Sequence, residues 1–158
     1  MSTRDHSVYF SNESLARFVA AQGKTVEKVV CHLWQNNLNK NTPLEIIDNV
    51  ELRFTDKQKL TISCNELGTG LEAIHFDYKT VARELETEFE GKIKLFAIDA
   101  STTKMWEDVI GKTLILVQTT KEADYYKADS VMLNFGEEKR EIAISPDDGL
   151  IIDYYEDI

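Results

Sequence analysis

The chain contains few of the residues that interrupt regular structure, with two prolines and seven glycines among its 158 residues. Flexible linkers and low-complexity tracts are rich in such residues, so their scarcity argues against a string of tethered modules. Apolar runs are short as well, and none approaches the roughly 20 residues that a membrane-spanning helix needs. The opening residues, MSTRDHSVYFSNES, lack the apolar stretch of a secretory signal. We therefore expect a single domain over residues 1–158 and no membrane partner.

Cysteine is scarce too, since Cys31 and Cys64 are the only two. Two cysteines without a secretory signal are typical of a reducing compartment, so we expect free thiols and a cytoplasmic location. Both lie in strand-like runs, where an unpaired cysteine usually behaves as a small buried apolar residue. A disulfide between them stays open at this point, because it depends on their geometry.

Basic residues are outnumbered: 18 lysines and arginines stand against 28 aspartates and glutamates, a formal charge of −10 at pH 7. Such a chain repels phosphate backbones and anionic lipids, which disfavours nucleic acid and membranes as partners. The same charge keeps a protein soluble and accelerates its encounter with a basic partner. A basic protein is therefore the partner that composition favours.

The clearest pattern in the chain is a hairpin that occurs twice. Residues 50–63, VELRFTDKQKLTIS, alternate apolar and polar side chains, break at TDKQ and alternate again, which predicts an antiparallel hairpin. Residues 131–145, VMLNFGEEKREIAIS, follow the same pattern. In this alignment the apolar positions Val50, Leu52 and Phe54 correspond to Val131, Leu133 and Phe135. After one inserted residue, Ile62 and Ser63 correspond to Ile144 and Ser145.

A larger repeated unit surrounds each hairpin. Gly23-Lys24-Thr25 follows a predicted helix over residues 12–22, and Gly111-Lys112-Thr113 follows a short helix predicted to begin at Ser101 or Thr102. Each tripeptide leads into a β-rich run, residues 25–35 and 112–120. Chance alternation is the alternative, since amphipathic hairpins resemble one another.

These patterns predict an α+β fold with a predominantly antiparallel sheet, built from two similar helix-plus-β-meander halves. The halves span residues 11–76 and 101–155, and a helix and a strand in residues 77–99 join them. The connecting amphipathic helix covers about residues 78–90, where Val81, Leu85 and Phe89 form an apolar stripe. The acidic residues of this helix are expected to face water.

The sequence carries no catalytic, cofactor or metal signature. Residues 68–70 and 111–113 imitate parts of phosphate-binding loops, but neither has the strand-loop-helix context that such loops require. The three histidines, His6, His32 and His75, show no metal-ligand spacing with the cysteines. His32 and His75 suit half-exposed structural positions on strands. We therefore predict no catalytic residue, no bound metal and no cofactor, and we favour a non-enzyme.

The candidate binding residues are acidic and aromatic. The C-terminal run Asp153-Tyr154-Tyr155-Glu156-Asp157 combines tyrosines, which serve as contact anchors, with carboxylates, which attract a basic partner. Tyr125 and Tyr126 lie in a predicted polar loop over residues 121–129 and complete the set. The alternative is a solvated terminal strand with ordinary surface charge.

Three functions follow from these features. The first is an intracellular, non-enzymatic protein-binding module that presents an acidic, tyrosine-containing surface to a basic partner. Its size, charge and lack of catalytic signature resemble those of bacterial antidote proteins that neutralise toxins, a resemblance of type that covers no motif. The second is a structural or regulatory subunit that self-associates through sheet edges, as in a homodimer. The third is an enzyme or small-ligand protein with a pocket between the halves that uses Cys64 or a histidine.

Overall fold

A computed structural model describes residues 8–36, 44–65, 68–145 and 149–154 of the chain. Within these ranges it contains two α-helices, α1 over Asn12–Ala21 and α2 over Tyr78–Glu88. It also contains nine strands, which in chain order are β1 Val26–Asn36, β2 Leu44–Phe54, β3 Lys59–Cys64, β4 Leu71–Ile74, β5 Ile93–Asp99, β6 Leu116–Glu122, β7 Tyr125–Asn134, β8 Lys139–Ser145 and β9 Gly149–Tyr154. The prediction of a mixed α+β fold with a mostly antiparallel sheet is confirmed.

The strands form two antiparallel meanders. In the first, β1 to β4 pair in chain order, and β5 adds to the free edge of β1. In the second, β6 to β9 also pair in chain order. A parallel contact between Ile47 on β2 and Gly149 on β9 joins the two meanders into one curled sheet. This junction needs glycine, because a Cβ at position 149 would lie 2.6 Å from the Ile47 carbonyl oxygen and the backbone φ is +75°.

The two Gly-Lys-Thr segments pair with each other ahead of β1 and β6. Thr25 and Thr113 form an antiparallel bridge, with their hydroxyl oxygens 3.4 Å apart. Four main-chain hydrogen bonds surround this bridge and occur as two equivalent pairs: Gly23 N–H to Leu114 O (2.7 Å) with Gly111 N–H to Val26 O (2.8 Å), and Val26 N–H to Lys112 O (2.9 Å) with Leu114 N–H to Lys24 O (2.9 Å). The two hydrogen bonds of each pair join equivalent positions, because donor and acceptor in one bond are 88 residues away from the donor and acceptor in the other, the same separation as that of Thr25 and Thr113.

Both predicted hairpins are present, but the correspondence drawn between them needs correction. Val50 pairs with Ile62 in the first hairpin, and Val131 pairs with Ile142 in the second. Ile62 therefore corresponds to Ile142, and the prediction that it corresponds to Ile144 is wrong. The cause is turn length: Phe54 N–H bonds to the carbonyl oxygen of Gln58, whereas Phe135 N–H bonds to that of Glu138, so the second turn is one residue shorter.

The core lies between the two meanders and takes side chains from both. Alternate residues of β2 and β7 are buried in it, among them Val50, Leu52, Phe54, Val131 and Leu133, and so is Phe135, directly after β7. Helix α1 closes one end by burying Phe18 and Ala21, and the Ser11 hydroxyl caps it by accepting from Ser14 N–H at 3.1 Å. The predicted first helix is thus confirmed.

Helix α2 packs on β5, at the edge of the first meander. Asp77 caps it, and its stripe of Val81, Leu85 and Phe89 is half-buried, consistent with the packing of this helix on β5. The acidic residues Glu84 and Glu88 are exposed, as expected from their position on the polar face. No helix in the described residues has both the length and the apolar character needed to cross a lipid bilayer.

The short helix predicted after Ser101 is wrong, because residues 101–110 form a chain of turns. The N–H groups of Thr103, Trp106 and Val109 each bond to the carbonyl three residues earlier, whereas that of Glu107 bonds four residues back, to Thr103 O. The Thr103 hydroxyl also donates to Ala100 O at 2.6 Å, the competition with helical bonding that disfavours threonine in helices. Trp106 and Val109 are nevertheless buried. Their spacing therefore identifies the buried side chains correctly, although the segment does not form an α-helix.

Candidate functional site

Polar side chains are buried on the outer face of β1 and β2, beneath Phe76 and Tyr78. His32 and Asn49 face each other there, with His32 Nδ1 2.6 Å from Asn49 Oδ1. The amide nitrogen of Asn49 donates to Asp48, so its Oδ1 is the acceptor and Nδ1 of His32 carries the proton. The prediction of a half-exposed His32 is wrong: the imidazole is fully buried, because Phe76 and Tyr78 fold back over it with ring centroids at 4.8 and 5.1 Å.

Glu51 is the buried charge of the first meander. Its side chain is 2% exposed and bonds to Arg53 Nε at 2.6 Å and Lys59 Nζ at 3.4 Å. The Thr61 hydroxyl donates to the same carboxylate at 3.4 Å. Burial raises the pKa of Glu51, but the hydrogen bond from Arg53 and the positive charges of Lys59 and Arg53 bring the pKa below its usual value. The carboxylate is therefore held ionised and fixes two basic side chains at the surface.

Both cysteines are free thiols, as predicted. Burial raises the pKa of the Cys31 thiol to about 11. Burial and the nearby carboxylates of Asp48 and Glu72 also raise the pKa of Cys64. A reactive cysteine needs a lowered pKa, so neither environment activates the thiol. Among the described residues, no three His, Cys, Asp or Glu side chains cluster as metal ligands would.

Among the described residues, the predicted tyrosines of β7 and β9 lie far apart. Tyr155, Glu156 and Asp157 lie outside the described residues. Tyr125 is the first residue of β7 and Tyr154 is the last residue of β9. Tyr154 pairs with Arg140 on β8, and Arg140 pairs with Leu133 on β7. Leu133 lies eight positions after Tyr125 along β7, which is about 26 Å at the rise of a β-strand.

Tyr125 and Tyr126 are strand residues, so the predicted polar loop over residues 121–129 is wrong. Only Ala123 and Asp124 connect β6 to β7, with Ala123 at a φ of +54°. The ring centroid of Tyr125 lies 5.2 Å from that of Tyr9. Phe10, the residue after Tyr9, donates its N–H to the carbonyl oxygen of Tyr126. Both tyrosines therefore hold residues 9 and 10 against the sheet.

Asp153 and Tyr154 point to opposite faces of the sheet, because neighbouring strand residues alternate. The Tyr154 hydroxyl donates to Lys104 O at 3.1 Å, and its ring lies 4.5 Å from the guanidinium carbon of buried Arg140. Arg140 Nε in turn donates to Met105 O at 2.6 Å. Tyr154 thus anchors residues 101–110, whereas Asp153 lies on the outer face.

The outer face of the second meander is open, and we call it the open face. One row of register partners crosses all four strands, namely Gln118, Met132, Glu141 and Asp153. Beside it, Ala143 pairs with the exposed Ile151. A hollow of about 190 Å³ lies among residues of β6, β7 and β8, Met132 and Glu141 included. Helix α2 packs on β5, and α1 packs on β3, β4 and β6. Within the described residues, neither helix packs on β8 or β9 as it does on these strands.

Two carboxylates lie side by side on the open face. Glu141 and Asp153 are direct cross-strand partners, and like charges in this position destabilise a sheet. Sequence reasoning found Asp153 but missed Glu141 and Met132, which share its row. The alternation of the second hairpin predicts that Met132 and Glu141 point away from the core. It does not predict the pairing of β8 with β9, which places them beside Asp153.

No family model, curated protein or solved structure matches this chain. Its function is therefore inferred from the geometry of its own residues.

Proposed function

We propose that this protein is a non-enzymatic binding module whose open face takes a basic protein partner. The observation that carries the proposal is the adjacent pair Glu141 and Asp153 on a sheet face left uncovered by helix. A basic side chain placed between these carboxylates would relieve their repulsion. An inhibitor of the partner, of the antidote type, is the specific form that this proposal takes.

The open face combines the two components of a protein interface. Ile151 is exposed and Met132 half-exposed, which supplies apolar contact area near its centre. The carboxylates lie beside them, and the formal charge of −10 would speed the approach of a cationic protein. A reducing compartment, the cytoplasm, belongs to the proposal because both cysteines are free thiols.

Charge reversal on the open face tests this function. The Glu141→Lys/Asp153→Lys variant keeps a like-charge pair, so its folding is expected to match that of the original chain. The control, Glu84→Lys/Glu88→Lys, makes the same charge change on the exposed side of α2. Each protein is immobilised and used to capture partners from cells of the source organism at about 50 mM and about 500 mM salt.

We expect the original chain and the α2 control to capture the same basic protein at low salt and to lose it at high salt. The open-face variant should not capture it. Equal capture by all three proteins, or a partner without an excess of basic residues, would contradict the proposal.

Self-association is a second candidate, favoured by strand β5. Within the described residues this strand pairs only with β1, and Phe96 and Ile98 on one of its faces are exposed. An unpaired strand edge beside apolar side chains is suited to pairing with a second copy. Sedimentation equilibrium at several concentrations would show a dimer that Phe96→Lys abolishes. A monomer at every concentration would rule this candidate out.

We also propose that the two meanders are copies of one duplicated unit. The support is their identical strand order and the paired hydrogen bonds around Thr25 and Thr113. In an experimental structure, β1 to β4 should superpose on β6 to β9 by a rotation near 180° about an axis between these threonines. A rotation far from that value would contradict duplication.

A further inference from the structure

Three basic residues form a row across three neighbouring strands of the first meander. Lys28 on β1 pairs with Arg53 on β2, and Arg53 pairs with Lys59 on β3. Neighbouring strands lie about 4.8 Å apart, so three positive charges stand close together on one face. Like charges in direct cross-strand positions destabilise a sheet. In a chain with a formal charge of −10, this arrangement is therefore unlike the general surface.

The second meander has no such row. Arg53 and Lys59 are the strand pair next to the first hairpin turn, and the residues next to the second turn are Asn134 and Lys139. Asn134 then pairs with Leu116 on β6, where the first meander has Lys28. The positive row is thus particular to the first hairpin and is not a property of the strand pattern.

Buried Glu51 orders the heads of two of these side chains. It engages Arg53 through Nε, and neither terminal nitrogen of the guanidinium donates a hydrogen bond to a described residue. Lys59 bonds to the other oxygen of the carboxylate and to Phe76 O at 3.2 Å. A guanidinium edge with two free N–H-bearing nitrogens matches the oxygens of a carboxylate or phosphate.

A cleft of about 630 Å³ opens over this row. Its volume lies within the range of small-molecule sites. Its wall contains four basic side chains, namely the three of the row and Lys57 of the hairpin turn. It also contains two carboxylates, those of Glu27 and Asp99. Ser101 completes the polar lining.

The carboxylates in the wall do not block the cleft. Lys28 Nζ lies 3.8 Å from Asp99 and Lys57 Nζ lies 3.6 Å from Glu27, and all four side chains are substantially exposed. Exposed pairs at such distances contribute little, so an incoming anion can replace them. Glu51 is different, because its buried contacts hold Arg53 and Lys59 in place.

We propose that this cleft binds a small molecule through an oxyanion group, either a phosphate or a carboxylate. The terminal nitrogens of Arg53 take two oxygens of the group, and Lys28, Lys57 and Lys59 surround it. The site is separate from the open face, which lies on the other meander. The chain would thus bind a small anion and a basic protein at different places.

Isothermal titration calorimetry with pyrophosphate and with citrate, at one fixed ionic strength, tests the site. The informative variant is Lys28→Gln/Lys57→Gln, because it removes two cleft charges and leaves every contact of Glu51 intact. The control is Lys94→Gln, an exposed lysine of β5 outside the cleft. Arg53→Gln is less useful on its own, since it leaves Glu51 buried with fewer partners.

We expect the original chain and Lys94→Gln to bind at least one of the two anions equally well. The double variant should bind it about tenfold more weakly, the expected effect of losing two charge contacts. Preference for pyrophosphate would identify a phosphate ligand, and preference for citrate a carboxylate. Equal affinity in all three proteins, or no binding of either anion by the original chain, would overturn the proposal.

Discussion

Replacement of Glu51 by glutamine should destabilise the protein in a pH-dependent way. The substitution preserves the shape of the side chain and an acceptor for the Thr61 hydroxyl, but it removes the charge that Arg53 and Lys59 contact at 2.6 and 3.4 Å. What is lost is therefore the ionic part of the cluster. The packing around position 51 is kept.

The size of the effect follows from exposure. A hydrogen bond to a charged group contributes about 1.5–3 kcal/mol, and removing one partner of a fully buried ion pair costs about 3–5 kcal/mol. Arg53 and Lys59 are 44% and 37% exposed, so water can hydrate them after the substitution. We expect a loss of about 2 kcal/mol at pH 7. For a chain of this size, this lowers Tm by about 4–8 °C.

The pH dependence has a definite sign. Burial raises the pKa of Glu51, and the contacts with Arg53 and Lys59 more than reverse this, so its pKa in the folded state is below the usual value. The carboxylate therefore stabilises the fold fully above its unfolded pKa of about 4.3 and loses that effect as pH falls through the folded pKa. The gap in unfolding free energy between the original chain and Glu51→Gln should be constant from pH 7 to about 5.5 and shrink below about pH 4.

Urea unfolding followed by fluorescence of the buried Trp106 measures this gap. Glu84→Gln, on the exposed side of α2, is the control and should change stability by less than about 0.5 kcal/mol. A Glu51→Gln variant as stable as the original chain at pH 7 would refute the reasoning. A gap that widens on acidification would refute it as well.

Three further predictions concern single residues. Gly149→Ala should destabilise the protein by about 2–4 kcal/mol in urea unfolding, because the new Cβ would meet a backbone oxygen of β2. Gly91→Ala should cost only about 1 kcal/mol, because position 91 has a φ of +77° but open space around it. Equal losses in the two variants would contradict this reasoning. Cys31, whose pKa is raised to about 11, should react with a thiol reagent at pH 8 only on unfolding, and half-buried Cys64 should react first; fast labelling of both would contradict their burial. Tyr154→Phe should cost about 0.5–1.5 kcal/mol by loss of one hydrogen bond and leave partner capture unchanged, so impaired capture would show that this tyrosine is a contact residue.

Much of the fold could be predicted from sequence, because its signals are local. The hairpins, α1 and α2 each follow from alternation, capping residues and an apolar stripe within a few residues. Residues 101–110 could not be predicted, because buried side chains at Trp106 and Val109 fit a helix and a chain of turns equally well. The hydrogen bond from the Thr103 hydroxyl distinguishes the two, and it appears only in three dimensions.

The candidate site was less predictable, because it depends on contacts between distant segments. His32 is buried by residues 76–78, and nothing near position 32 in the sequence announces that cover. Asp153 was found from its acidic neighbours, but its partner Glu141 emerges only from the pairing of β8 with β9. The row of Lys28, Arg53 and Lys59 was missed for the same reason, since its members come from three strands.

The central claim is that the open face is where the partner binds. Carboxylate footprinting tests it most directly, because it measures the labelling rate of each aspartate and glutamate with and without the captured partner. We predict that Glu141 and Asp153 become protected in the complex, while Glu84 and Glu88 on α2 keep their rates. Unchanged labelling of Glu141 and Asp153, with protection on α2 instead, would contradict the account.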